Sequence, residues 1–216
     1  MLRFFLGSHM PHWLRAAEFP LFVSHRRLAG YRRLPKAQCN WALDSGGFSE
    51  LALYGKWRTT VPEYIDAVNR YDAEVGRMLW AAPMDWMCEP QMLVATGLSV
   101  AEHQVRTVEN FCELAEEIPL IPVLQGWTLD DYLYCITLYE SMGVNLAHEP
   151  VVGVGSVCRR QNTYEAEEIF AELADAGLRL HGFGVKMTGL ERFGDRLVSA
   201  DSMAWSYDAR RAVPLP

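Results

Sequence analysis

Carboxylate and amide side chains stand at the ends of four short apolar runs in this 216-residue sequence: Asp44, Asp85, Gln125 and Asp201. Runs of this length that end in turn residues are typical of buried strands, and the carboxyl ends of parallel strands meet at one face of a fold. Carboxylates accept hydrogen bonds from the ring N–H and exocyclic amine of a purine-like edge, and an amide serves its carbonyl oxygen. A further carboxylate can attack an anomeric carbon and form a glycosyl-enzyme intermediate.

The segment DSGGF at positions 44–48 has two interpretations. Its glycines allow positive φ angles and let a ligand approach the backbone closely, which suits a catalytic or base-reading Asp44. Aspartate and glycine are also common in ordinary turns, where the aspartate caps the next helix. This segment alone leaves both interpretations open.

The composition is that of an ordinary globular protein, with 50% hydrophobic and 22% charged residues. No apolar run reaches the ~18 residues of a membrane span, and the apolar start of the chain is too short for a secretory signal. Five scattered cysteines, none in a CxxC pair, favour reduced thiols in a cytoplasm over disulfides or a zinc knuckle.

The net charge of −7 argues against a protein that coats nucleic acid non-specifically. Basic residues nevertheless occur in pairs, for which solvated surface is the default interpretation. Several pairs follow predicted strands and would then share one face of the fold. The clusters are Arg26–Arg27, Arg32–Arg33 with Lys36, Arg159–Arg160 and Arg210–Arg211.

Eight apolar runs alternate with helix-like stretches, which predicts an α/β fold of the compact (β/α)8 TIM-like barrel type. Thr60 is expected to cap a helix that begins at Val61, and further helices are expected at about 99–117, 128–142 and 163–176. The length is near the ~200-residue lower limit of this fold, so residues 1–216 are expected to form a single domain. Little sequence follows the eighth run, so the last helix is expected to be short or absent. A homodimer partner or further downstream residues could cover that flank.

In combination, these segments resemble the tRNA-guanine transglycosylase superfamily. They are most similar to its compact phage and bacterial branch, the deazapurine DNA-modification (DpdA-like) transglycosylases. The resemblance is carried by DSGGF, by LQG at 124–126 and by GVG at 153–155, and it runs over nearly the whole chain. LGSHMPHW, LQGWTLDDY, GVGSVCRR and LHGFGVK are also similar to this branch.

The resemblance implies a role for each strand-end residue. Asp201 matches the nucleophile that displaces guanine from C1′ and holds the sugar covalently, and Asp44 matches the general acid/base. The implied base-binding set comprises Ser45, Gly46, Asp85, Gln125 and the backbone of Gly153.

The resemblance also implies the substrates. The CxCxxC…H zinc site and the basic RNA-docking extension of the tRNA enzymes have no counterpart here, which favours DNA over tRNA. We therefore expect a pentosyltransferase that exchanges guanine in DNA for a 7-deazaguanine such as preQ0. The free base is the co-substrate, no other cofactor or metal is implied, and a bacterial or phage-infected host cytoplasm is the expected location.

Other residues are weaker candidates. Lys186, Arg159, Arg160 and His9 could contact nucleic acid or phosphate. One of three tryptophans could stack on a base, although most buried tryptophans belong to a core; they are Trp86, Trp127 and Trp205. His181 is expected to be a core or wall histidine, and Cys158 has no adjacent histidine to activate it.

Three alternative functions stay open at this point. The same reaction on tRNA is one, and a non-catalytic deazaguanine-binding subunit is another. The third is a generic sugar-phosphate barrel enzyme, which would be favoured if Asp201 pointed away from the pocket.

Overall fold

The computed structural model describes residues 2–204, in which β-strands alternate with α-helices. The strands are β1 (Arg3–Ser8), β2 (Leu21–Ser24), β3 (Trp41–Asp44), β4 (Met78–Ala81), β5 (Val123–Leu124), β6 (Val152–Val154), β7 (Leu180–Gly182) and β8 (Leu197–Ser202). The α-helices are α1 (His25–Leu28), α2 (Gly47–Tyr54), α3 (Val61–Val75), α4 (Pro90–Thr96), α5 (Val100–Ala115), α6 (Leu129–Ser141), α7 (Tyr164–Asp175) and α8 (Met187–Phe193). Short 3₁₀ helices lie at Pro11–Arg15, Leu146–His148 and Gly194–Arg196.

All eight strands pair in parallel in one curled sheet, in the order β4-β3-β2-β1-β8-β7-β6-β5. Each predicted apolar run overlaps one of these strands, so the parallel α/β prediction is confirmed. The arrangement is compatible with a TIM-like fold. The tryptophan at 205, the last helix and the Arg210–Arg211 pair lie outside the described residues.

The predicted closed barrel needs a correction, because the sheet forms a half-barrel whose end strands β4 and β5 share no ladder. Between these ends the described residues form a single isolated parallel bridge, Ala81 to Leu120. The Ala81 amide donates to the Pro119 carbonyl (2.9 Å), and the Ile121 amide donates to the Ala81 carbonyl (3.2 Å). Pro119 and Pro122 flank this bridge and have no N–H to donate, which limits the pairing.

Three of the longer helices begin with a capping box, in which a hydroxyl and an acidic side chain satisfy each other's backbone amides. Such a cap stabilises a helix by about 1 kcal/mol. The predicted starts of these helices are confirmed to within a residue. The pairs are Thr60–Glu63 for α3, Ser99–Glu102 for α5 and Thr128–Asp131 for α6.

Alternate residues of the first four strands form a mainly aromatic layer on the inner, concave face of the sheet. Phe5, Phe22, Ala42 and Trp80 pack together there, almost completely buried. Successive side chains of a strand alternate between its two faces, so Asp44 lies on the same face as Ala42. The inner layer therefore supports a polar layer at the carboxyl ends of the strands.

Helix α3 packs against β2 and β3 on the outer face of the sheet, and α6 and α7 pack there against β6 and β7, whereas α2 and α4 pack against each other. Among residues 2–204, no helix combines the length and the apolar character needed to cross a membrane.

Candidate active site

A cavity of about 520 Å³ opens at the carboxyl ends of the strands. This volume lies within the range of small-molecule sites. The candidate residues that line it come from the ends of four strands, and Arg26 and Arg27 of α1 also line it. They are Asp44 at the end of β3, Asp85 after β4, Gln125 after β5 and Asp201 in β8.

Asp44 is half-buried in this cavity. Its Oδ1 atom accepts a hydrogen bond from the Gly46 amide at 3.2 Å. Gly46 precedes α2 with a φ of 82°, so its left-handed backbone turns the chain sharply after the strand. Burial raises the pKa of Asp44; hydrogen bonds from Gly46 and Ser24 oppose the rise, and the charge of Asp201 adds to it. The raised pKa makes the neutral acid easier to form than in an exposed aspartate, which suits a proton donor.

Asp85 is buried and held by two side-chain donors. The Ser45 hydroxyl donates to Oδ1 at 3.2 Å, and the Gln125 amide donates to Oδ2 at 2.6 Å. Burial and the charge of Asp44 raise the pKa of Asp85 to about 7. Ser45, the second residue of the DSGGF segment, thus orients the carboxylate of Asp85 after the neighbouring strand.

Gln125 is completely buried, and all of its polar groups point to fixed partners. Its Nε2 atom donates to Asp85, and its Oε1 atom accepts from the Ser156 hydroxyl at 2.7 Å. Its backbone carbonyl accepts from the Gln104 amide of α5 at 2.7 Å. The amide therefore stands in the cavity wall with both of its side-chain polar atoms hydrogen-bonded.

Glu89 and Ser156 belong to the same network, although the sequence analysis missed both. Glu89 lines the cavity, is 4% exposed, and lies 3.0 Å from the Ser156 hydroxyl. Ser156 has a φ of 58°, a left-handed conformation that is uncommon for a non-glycine residue. Glu89 directly precedes Pro90 at the N-cap of α4, so the sequence signal was that of an ordinary helix start.

Asp201 is 4% exposed and lines the cavity. Its Oδ1 atom accepts a hydrogen bond from the Gly184 amide at 2.9 Å. The same oxygen lies 3.3 Å from Nε2 of His181, but this pair is not aligned for a hydrogen bond. The aspartate therefore faces the cavity, contrary to the arrangement that would favour a generic sugar-phosphate enzyme.

His181 lies beneath Asp201 in the aromatic interior and is completely buried. Its Nδ1 atom lies 2.9 Å from the Ser199 hydroxyl, and its ring packs edge-on against Trp80 with a centroid separation of 4.9 Å. The ring of Phe183 covers another side at 4.7 Å. The histidine occupies the buried position expected of it, and it also contacts the carboxylate of Asp201.

Gly153 does not line the cavity. It lies inside β6, where its amide donates to the Pro122 carbonyl at 2.8 Å and a Cβ would meet the Phe183 ring at 2.5 Å. The sheet has thus engaged the amide that the sequence analysis assigned to the base. Gly155 lines the cavity instead, and a Cβ there would lie 2.3 Å from the Gln125 amide nitrogen.

The predicted phosphate contacts occupy different positions. His9 lines the cavity, whereas Lys186 is exposed at the N-terminus of α8 and is not among the lining residues. Arg159 lies over the ring of Phe48, a lining residue, at 5.2 Å, and Arg160 lies over the ring of Trp127 at 4.3 Å.

Neither described tryptophan candidate lines the cavity. Trp86 is buried against His103, with Arg106 over its ring at 4.8 Å. Trp127 is half-buried under Arg160. The interpretation of these side chains as packing residues agrees with their positions.

Cys158 lines the cavity, and burial raises the pKa of its thiol, which disfavours the reactive thiolate. Among residues 2–204, no group of three or more His, Cys, Asp or Glu side chains has an arrangement that could hold a metal ion.

Comparisons with known proteins identify the family. A comparison with curated proteins gave no significant match. A protein-family model described as DpdA, deoxypurine in DNA protein A, matches residues 1–216, as the resemblance of the strand-end motifs indicated. The chain therefore belongs to the DpdA family.

Proposed function

We propose that this protein exchanges guanine in DNA for a 7-deazaguanine base through a covalent Asp201–deoxyribose intermediate. One observation carries the proposal: a cavity of small-molecule size gathers Asp44, Asp85, Gln125 and Asp201 from four strand ends. Membership of a family described as deoxypurine in DNA protein A supports DNA as the polymer. We further propose that residues 1–216 act as one domain with the site geometry of a (β/α)8 enzyme.

Base recognition is assigned to Asp85 and the residues that hold it. Ser45 and Gln125 donate to the two carboxylate oxygens, which keeps Asp85 an acceptor for the ring N–H and exocyclic amine of a guanine edge. Gly46 shapes the turn beside Asp44, and Gly155 leaves space for the Gln125 amide. We assign the cavity-lining glycine role to Gly155 because the Gly153 amide is used within the sheet.

The first chemical step is displacement of the base. A carboxylate oxygen of Asp201 attacks C1′ as the C1′–N9 bond breaks, and the bonding electrons leave with guanine. Asp44 supplies the proton that neutralises the departing base, a role that its raised pKa favours. The Gly184 amide and His181 keep the Asp201 carboxylate directed at the cavity.

The second step reverses these events. The incoming 7-deazaguanine loses its N9 proton to the Asp44 carboxylate and attacks C1′. The ester bond to Asp201 breaks, and its electrons return to the carboxylate. The reaction is balanced without ATP, a metal or a redox cofactor.

The polymer must present a base outside its stack, either flipped from a duplex or in a single strand. Arg26, Arg27 and His9 line the cavity, and Arg159 packs on a residue that lines it. We assign contacts to the DNA phosphates to these side chains, which would offset the net charge of −7 locally.

An exchange assay tests the proposal. Radiolabelled 7-deazaguanine is incubated with the protein and either guanine-containing DNA or tRNA, and label in the polymer is counted. We expect label in DNA, and we expect Asp201→Ala to abolish it. Label in tRNA alone would contradict DNA as the substrate and show that the protein acts on tRNA. Tight base binding without label in either polymer would contradict the exchange reaction and favour a binding subunit.

A further inference from the structure

Ser156 has more hydrogen-bond partners than its single proton can serve. Its Oγ atom accepts from the Cys88 amide at 2.8 Å and also lies 3.0 Å from Oε2 of Glu89 and 2.7 Å from Oε1 of Gln125. A serine hydroxyl donates one hydrogen bond and accepts two. Both remaining partners are oxygen atoms, so either Glu89 carries a proton or the Gln125 amide is turned to place its nitrogen beside Ser156.

The network beyond Ser156 allows two arrangements of that proton. In the first, neutral Glu89 donates to Ser156, Ser156 donates to the Gln125 oxygen, and the Gln125 nitrogen donates to the Asp85 carboxylate. In the second, every bond is reversed: neutral Asp85 donates to a turned Gln125 amide, and Glu89 is the carboxylate. Two buried carboxyl groups therefore share one proton through a serine and an amide.

The two arrangements offer different recognition groups to a base. The first leaves Asp85 as a carboxylate that can accept from N–H donors of a purine edge. In the second, Asp85 is neutral and its proton is directed at Gln125. A guanine-type edge, which carries N–H donors, therefore binds the first arrangement better.

We propose that Glu89 is a positioning residue for base recognition: neutral Glu89 fixes the Gln125 amide through Ser156, so that Asp85 meets the base as a carboxylate. This inference rests on the proposed binding of a guanine-type base in the cavity. Glu89 acts through its neighbours, and the observation behind its role is the count of protons and acceptors around Ser156.

The surroundings of Glu89 agree with a neutral acid. Burial raises the pKa of Glu89, while hydrogen bonds from its own backbone and from Ser156 and the charges of Arg159 and Arg160 oppose the rise. Glu89 makes no capping hydrogen bond to α4, although it occupies the N-cap position. The ionisable groups that interact with Glu89 are Cys88 of its own segment, Tyr132 of α6, and three residues of the loop after β6: Cys158, Arg159 and Arg160.

The test uses Glu89→Gln, because its amide donates permanently where neutral Glu89 donates. Affinity for 7-deazaguanine is measured by calorimetry at pH 6 and pH 9 for the variant and the wild type. We expect similar affinities where Glu89 is protonated. A rise in pH removes the Glu89 proton of the wild type but leaves the amide of the variant intact, so we expect the variant to bind at least about tenfold more tightly than the wild type at the higher pH. Comparing the two proteins at each pH cancels any titration of the ligand and of Asp44. Asp85 has a pKa of about 7 and also titrates in this window, so the comparison at pH 9 is the one in which Asp85 is a carboxylate in both proteins.

Two further variants complete the design. Ser156→Ala removes the hydroxyl that links Glu89 to Gln125, so its affinity for 7-deazaguanine should be at least about tenfold below that of the wild type already at pH 6. This variant also tests the inference if Glu89→Gln does not fold. Glu102→Gln, the same change at an exposed capping position, should keep the wild-type pH profile. Failure of every form to bind 7-deazaguanine would contradict the proposed function. Equal pH profiles for wild type and Glu89→Gln, with binding intact, would contradict the role of Glu89 alone.

Discussion

A carboxyl group that is buried beside another acid is difficult to ionise, and Asp85 is in this position. Burial and the charge of Asp44 raise its pKa from 3.8 to about 7, although Ser45 and Gln125 both donate to it. This arrangement favours binding of a ligand that carries N–H donors, because hydrogen bonds from the ligand stabilise the buried carboxylate. In the free protein, the unfavourable burial of the Asp85 carboxylate makes the free energy of unfolding depend on pH.

The variant Asp85→Asn tests this dependence. The unfolded chain releases the Asp85 proton near pH 4, whereas the folded protein retains it until about pH 7. The folded state therefore binds more protons across this window, and the contribution of Asp85 to the free energy of unfolding falls as the pH rises through it. We expect the free energy of unfolding of Asp85→Asn, relative to wild type, to rise by on the order of 4 kcal/mol between pH 4 and pH 8.

The measurement is urea unfolding of both proteins at several pH values. The matched control is Asp66→Asn, the same change at an exposed position of α3. A constant difference between Asp85→Asn and wild type over the whole range would contradict the raised pKa.

At the scale of elements, the sequence predicted the strands and the longer helices because local rules determine them. Short apolar runs produced each strand, and the hydroxyls of Thr60 and Ser99 fixed the starts of α3 and α5. The open ladder between β4 and β5 was missed because it depends on pairing across distant segments. Glu89 was missed for the same reason: its partner Ser156 is 67 positions away in the sequence.

The loop after β6 determines where the Gln125 amide stands, and Gly155→Ala tests its role. An added Cβ would lie 2.3 Å from the Gln125 amide nitrogen, so the amide must move away from Asp85. We expect affinity for 7-deazaguanine to fall at least about tenfold while the protein stays folded. Calorimetry measures the affinity, and circular dichroism checks the fold.

The matched control is Gly30→Ala, because no atom lies within 4 Å of a Cβ at that exposed glycine. Its affinity should equal that of the wild type. Unchanged affinity in Gly155→Ala would mean that the Gln125 amide does not contribute to base binding.

At the scale of the whole molecule, an acidic chain must bind a polyanion through a local basic surface. The net charge is −7, yet Arg26 and Arg27 line the cavity, and Arg159 packs over Phe48 at its edge. The sequence indicated the arginine pairs but not which of them reach the site, since that depends on how the strands are ordered in the sheet. Of the predicted contacts, exposed Lys186 is not among the lining residues.

Salt dependence of DNA binding tests this surface. A phosphate contact releases counterions, so each lost contact lowers the slope of log K against log salt by about 1. We expect Arg27→Ala and Arg159→Ala each to produce such a change, measured by fluorescence anisotropy on a guanine-containing oligonucleotide. Arg33→Ala, at an exposed position that is not a lining residue, is the control and should leave the slope unchanged. Slopes equal to wild type in the first two variants would exclude these arginines from the DNA contact.

The central claim is that Asp201 becomes covalently attached to the sugar, and trapping the intermediate tests it most directly. The protein is mixed with guanine-containing DNA and 7-deazaguanine, denatured, and separated on a gel beside Asp201→Ala. The attached peptide is then identified by mass spectrometry. We predict a denaturant-stable adduct with DNA that maps to Asp201 and is absent from the variant. An adduct on another residue, or one that persists in Asp201→Ala, would contradict the assignment of Asp201 as the nucleophile.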